Sequence, residues 1–122
     1  MPTNNLSPYK LGKEGEEIAL RYLKKKKYKI IKKGFRLLKG EIDIIAYDQK
    51  TLVFIEVKTR KNFDYGHPEE SVTYLKQKQI KKIASGFMSM NNLTNVECRF
   101  DVISIMPEKP GSYKLCHIKN AF

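Results

Sequence analysis

One helix, three strands, a second helix and two more strands predict a single α/β domain: a central mixed β-sheet flanked by helices. Three observations carry that expectation. Helical periodicity is confined to residues 8–27 and 69–90. Alternating or continuously apolar runs occupy 28–38, 41–47, 52–59, 97–106 and 113–118. The chain has 122 residues, 41% of them apolar, which suits one core and leaves little room for a second.

Residues 1–8 read as a flexible N-terminal tail and 9–119 as the folded domain. On the first helix Leu11, Gly15, Ile18, Ala19, Tyr22 and Leu23 share one stripe. The first strand alternates imperfectly. The second and third are stronger and meet at a turn near Gln49-Lys50. A loop with Gly66 follows, and Pro68 suits a first helical turn, with Glu69 and Glu70 complementing its dipole. Val72, Leu75, Ile80, Ile83, Phe87 and Met90 form the stripe of the second helix, interrupted by Lys76 and Gln79. Pro107 and Pro110-Gly111 mark the turn before the last strand.

Charge narrows the partner. The chain carries 24 basic and 13 acidic side chains, a net +11. So large an excess on a small domain points to an anionic partner. Residues 1–61 hold 16 basic and 7 acidic side chains, and the densest stretch runs from Lys24 to Lys39 without an acid. Nine cations in sixteen residues exceed what a helix end requires. Nucleic acid fits better than a membrane surface, because the neighbouring apolar residues serve the core. No apolar run reaches the roughly 18 residues of a membrane span. The polar start lacks a signal-peptide core. Cys98 and Cys116 have no metal-like spacing and read as reduced thiols of a cytoplasmic protein. Neither a Gly-rich phosphate loop nor a Cys/His zinc spacing is present, and His67 and His117 look isolated.

Three charged residues sit where charge is costly. The third strand, nearly continuous in apolar residues, carries Glu56 and Lys58 on one face. The second carries Asp43. A two-residue turn at Gln49-Lys50 places Asp43 opposite Glu56, and Glu41 opposite Lys58. Opposed carboxylates roughly 5 Å apart repel unless a cation lies between them. Lys58 alone makes an internal ion-pair cluster; a divalent ion makes a metal site. Hard oxygen ligands suit Mg²⁺ or Mn²⁺. Lys58 beside that ion would hold the attacking water or stabilise developing charge on phosphorus. Glu16 lies at the rim of the first helix's stripe and either reaches the sheet edge or is an ordinary flanking glutamate. Lys76 either covers the core or points at the carboxylates. Arg99 and Asp101 share a face and read as a cross-strand structural ion pair.

Gly40-Glu41-Ile42-Asp43 followed by Phe54-Ile55-Glu56-Val57-Lys58-Thr59-Arg60 resembles the core of PD-(D/E)xK nucleases. The wider pattern is similar to the YraN family of small bacterial predicted endonucleases, distant relatives of archaeal Holliday-junction resolvases. Supporting residues are Gly12-Lys13-Glu14-Gly15-Glu16, Ala19, Tyr22-Leu23, Gly66 with Pro68, Lys76, and Arg99-Phe100-Asp101-Val102. Ile42 stands where the motif has proline. The resemblance implies a restriction-endonuclease-like core, with Asp43 and Glu56 as metal ligands and Lys58 as catalytic lysine. It implies that Glu16 completes the site.

The expectation is a Mg²⁺- or Mn²⁺-dependent endonuclease acting on DNA, including branched or junction DNA. Catalytic residues are Lys58, Glu56, Asp43 and Glu16, and the last three hold the metal. Lys24, Lys25, Lys26, Lys27, Arg36, Arg60 and Lys76 contact the nucleic acid, gripping phosphates without reading bases. A two-fold junction would suit a homodimer. The rivals are a non-cleaving nucleic-acid-binding protein with the same fold, for DNA or RNA, and a ribosome-associated basic protein.

Overall fold

The computed structural model describes residues 8–60 and 72–122, with side chains from Gly12 onward. The elements are α1 (Pro8–Lys25), β1 (Lys29–Leu37), β2 (Gly40–Asp48), β3 (Thr51–Thr59), α2 (Tyr74–Met90), β4 (Cys98–Lys109) and β5 (Ser112–Ile118). One five-stranded sheet runs β1-β2-β3-β4-β5. Only β3 and β4 pair in parallel, and α2 is their crossover. This is the expected mixed α/β domain, consistent with a nuclease-like core. Of the tail expected at 1–8, only Pro8 lies among the described residues, and it opens α1.

The sheet is covered on both faces. Ala19 and Leu23 of α1 close over Ile44, Ala46, Val53, Ile55, Ile103 and Ile105. Ile80, Ile83 and Phe87 of α2 close over Ile42, Ile45, Leu52, Phe54 and Val102. A Cβ on Gly15 would overlap Thr59 Oγ1, so glycine lets α1 settle directly on the end of β3. That approach carries the next residue, Glu16, to the sheet.

Several boundaries differ from the sequence expectation, each for a local reason. The second helix starts at Tyr74, not 69, because Thr73 is its N-cap and accepts from the Lys76 N–H at 3.2 Å. Pro68, Glu69 and Glu70 lie outside the described residues, and Val72 and Thr73 are not helical. Leu75 and Met90, expected in the core, are exposed, because they stand at the two ends of a helix whose centre packs on the sheet. β4 continues through Pro107 to Lys109. Its pairing with β3 stops at Ile105, so proline's missing N–H costs no bond to that neighbour.

The first helix ends at Lys25 rather than 27. The Tyr28 N–H bonds to the Leu23 carbonyl at 2.9 Å and the Lys27 N–H to the Lys24 carbonyl at 3.0 Å. This is a Schellman closure, and Lys27 holds its left-handed position at φ 72°. Glycine is the usual residue there, because a Cβ at positive φ costs about 1 kcal/mol. Lys27→Gly is therefore expected to stabilise the fold by about 1 kcal/mol. Urea unfolding checks this; a variant no more stable than the wild type contradicts it.

Candidate active site

The β2–β3 hairpin has the register its two-residue turn predicts. Gln49 adopts φ 56°, and pairing runs from Asp48↔Thr51 to Ile44↔Ile55. There it stops. Ile42 packs on the α2 side with Ile45, while Ile44 packs on the α1 side, so the alternation of β2 breaks at Asp43. The Asp43 carboxylate takes the place of a ladder carbonyl: its Oδ2 accepts from the Val57 N–H at 2.8 Å. The expected pairing of Glu41 with Lys58 does not form. Glu41 instead meets Arg36 across β1 and β2, with Arg36 Nε 3.2 Å from Glu41 Oε1.

Asp43 and Glu56 nevertheless come together. Burial raises the Asp43 carboxyl furthest, Glu56 raises it again, and the Val57 N–H only partly offsets both; the result is about 8. Glu56 is 6% exposed and holds both lysines singled out by the sequence. Lys58 Nζ stands 3.7 Å and Lys76 Nζ 3.5 Å from Glu56 Oε2. Among the described residues no salt bridge reaches Asp43. Glu16 is raised too, first by burial, then by Glu41 and Glu56, so it faces the same cluster. It stands apart from the pair: among the described residues no three His, Cys, Asp or Glu side chains form a ready metal cage.

The basic residues divide. Lys24, Lys25, Lys26 and Lys27 are exposed at the far end of α1, roughly 12–16 Å along the helix from Glu16. Lys29, Lys32, Lys33 and Arg36 are exposed along the edge strand β1 and link that end to the candidate site. Lysines on an edge also block strand addition. Arg60 departs from expectation. It is 7% exposed, so its side chain belongs to the interior and offers no surface to a phosphate backbone.

A second polar cluster was not legible. His117, which looked isolated, has Nε2 2.7 Å from Asp101 Oδ2 and Nδ1 2.9 Å from Tyr22 Oη. Arg99 donates to Asp101 at 3.0 Å and to Tyr28 Oη at 2.7 Å, and its Nη1 lies 3.0 Å from Asp48 Oδ2. The Arg99–Asp101 pair is therefore real but lies within one strand; the cross-strand partner is Asp48. Burial would raise Asp101, but His117, Arg99 and the Asn120 N–H together hold it below its ordinary value. Only the β4–β5 register, which places His117 beside Ile103, brings the histidine there. His67 lies outside the described residues.

A family model described as "Uncharacterised protein family UPF0102" matches residues 15–105. The chain belongs to this family. It is 46% identical to a UPF0102 protein of Geobacter sulfurreducens over 92% of this chain and 88% of the relative. It is 47% identical to one of Geotalea uraniireducens over the same shares. It is 45% identical to one of Chlorobaculum tepidum, over 95% and 94%. This is the family whose resemblance the motifs carried. Among the described residues no helix is long and apolar enough to cross a membrane.

The carboxylate pair has a cost in stability. Asp43 titrates higher in the folded state than the unfolded, so the folded protein keeps a proton the unfolded chain has lost. Stability from this group is present at low pH and is lost as pH rises from about 4 toward 8. Asp43→Asn keeps the oxygen that accepts from Val57 and removes the charge. The variant is expected to gain on the order of 1 kcal/mol over the wild type between pH 5 and pH 8.5, read by urea unfolding without divalent ions. A constant difference across that range contradicts the paired-carboxylate account.

Proposed function

We propose that the chain is a divalent-metal-dependent endonuclease that hydrolyses phosphodiester bonds in DNA. One observation carries this: a buried carboxylate, Glu56, and a half-buried one, Asp43, stand together, and among the described residues only Glu56 has cations. The donor set fits Mg²⁺ or Mn²⁺. These ions take hard oxygens, need only one or two protein carboxylates, and keep several waters. Asp43 and Glu56 would hold the ion, and Glu16 would act through one of its waters. When bound, such an ion polarises the phosphoryl group and lowers the pKa of a bound water.

The remaining chemistry belongs to the chain. In hydrolysis a water oxygen bonds to phosphorus and gives up a proton, the bond to the leaving oxygen breaks, and that oxygen takes up a proton. Lys58, half-buried beside Glu56, donates hydrogen bonds to the attacking water or to a phosphate oxygen. Lys76 approaches the same carboxylate from α2 and would hold the phosphate. Ser104, paired with Lys58 across β3 and β4, has a buried Oγ with no hydrogen-bond partner among the described residues, a ready acceptor beside the lysine. The exposed cations of α1 and β1 supply sequence-independent attraction for the backbone.

The same two lysines on Glu56 also support the rival, an ion-pair cluster in a protein that binds nucleic acid without cutting it. Cleavage decides between them. Duplex, single-stranded and four-way-junction DNA are incubated with and without Mg²⁺ or Mn²⁺. Cleavage is expected only with metal, falling roughly hundredfold or more in Glu56→Ala and in Lys58→Ala. Cleavage that survives either substitution contradicts the proposal.

A further inference from the structure

Three large apolar side chains near the candidate site are uncovered. Leu38, Tyr74 and Leu75 are 63%, 69% and 78% exposed. Leu38 tips the turn between β1 and β2, and Tyr74 and Leu75 open α2. Leu38 and Leu75 line one groove of about 420 Å³ with Lys78, Gln79 and Lys82. The α2 members recur at the spacing of one helix face. Lys78 Nζ lies 5.1 Å from the Tyr74 ring centroid, which joins the aromatic to the same surface. Among the described residues no acidic side chain lines the groove, and α2 contains none.

The helix that lines the groove also reaches the carboxylate pair. Lys76, in the same turn as Tyr74 and Leu75, reaches Glu56 Oε2 at 3.5 Å. Leu38 precedes Asp43 by five residues, roughly 15 Å of extended chain.

This mixture of side chains selects its ligand. Lysines suit phosphates. The side chains of two leucines and the ring of a tyrosine gain little from a sugar–phosphate surface, but they gain from the apolar faces of bases. In continuous duplex those faces are stacked inside. They open in single strands, at forks and at junctions, where apolar side chains wedge against them. We propose that the Leu38–Tyr74–Leu75 groove holds unpaired nucleotides beside the scissile phosphate, so that DNA with unstacked bases is bound in preference to continuous duplex. The proposal deepens the nuclease reading of the neighbouring site, and it is tested by binding alone.

Fluorescence anisotropy without divalent ions compares a forked DNA with a continuous duplex of equal length. Leu38→Ser/Leu75→Ser and Tyr74→Ala change exposed side chains, and thermal unfolding confirms their folding. Each is expected to lower affinity for the fork about tenfold and to leave duplex affinity unchanged. Lys78→Glu/Lys82→Glu is expected to weaken both and to flatten the salt dependence. Equal losses on both DNAs, or no loss on the fork, overturn the proposal. So does a wild-type dimer in sedimentation that the leucine substitutions dissolve, which assigns the groove to a second copy of the chain. If no DNA is cleaved while the fork preference and its loss persist, the nuclease reading fails and the groove stands. Cleavage with unchanged binding in the variants gives the reverse.

Discussion

Asp43 and Glu56 stand side by side where the β2–β3 ladder stops, and the surroundings answer their repulsion from several directions. The Val57 N–H is spent on Asp43 instead of a strand carbonyl. Lys58 from β3 and Lys76 from α2 converge on Glu56. Glycine at position 15 brings α1, and with it Glu16, down to the end of β3, which adds a third negative charge that the lysines must answer. The Val57 and lysine contacts serve charge and not packing. A fold selected for stability alone would fill this place with apolar residues, as it does one pair further along at Ile44 and Ile55.

The opposite end of the hairpin shows what a structural polar cluster looks like in the same molecule. Asp101 is fully buried, yet Arg99, His117 and the Asn120 N–H satisfy it. The cluster ties the end of α1 through Tyr22, the entry to β1 through Tyr28 and the end of β2 through Asp48 to β4 and β5. Its buried carboxylate is fully hydrogen-bonded and its donors find acceptors, the condition under which a buried network rigidifies a fold. In the Asp43–Glu56 pair both lysines stand on Glu56, and among the described residues no cation reaches Asp43. The contrast is the physical ground for reading one cluster as scaffold and the other as a site.

Much of this was legible because turn length and side-chain period act locally. Two turn residues set the register that brings Asp43 toward Glu56, and charges inside an apolar strand marked the place. What escaped was set by geometry between elements. Asp43 bends out of the ladder to cap Val57, so Glu41 pairs with Arg36 instead of Lys58. Helical periodicity ran past the Thr73 cap and placed Leu75 in the core, when it stands in the open. His117 found Asp101 only through the β4–β5 register. Arg60 follows the motif in sequence yet is buried, because its N–H continues the β3–β4 pairing to the Ile105 carbonyl and draws the residue inward.

The central claim is that the carboxylate pair is built to share a divalent cation. Calorimetric titration of Mn²⁺ at pH 8 tests it most directly. One ion per chain is expected to bind to the wild type, and binding at that stoichiometry is expected to vanish in Asp43→Asn and in Glu56→Gln. A wild type that takes up no ion, or variants that bind it as well, would contradict the account.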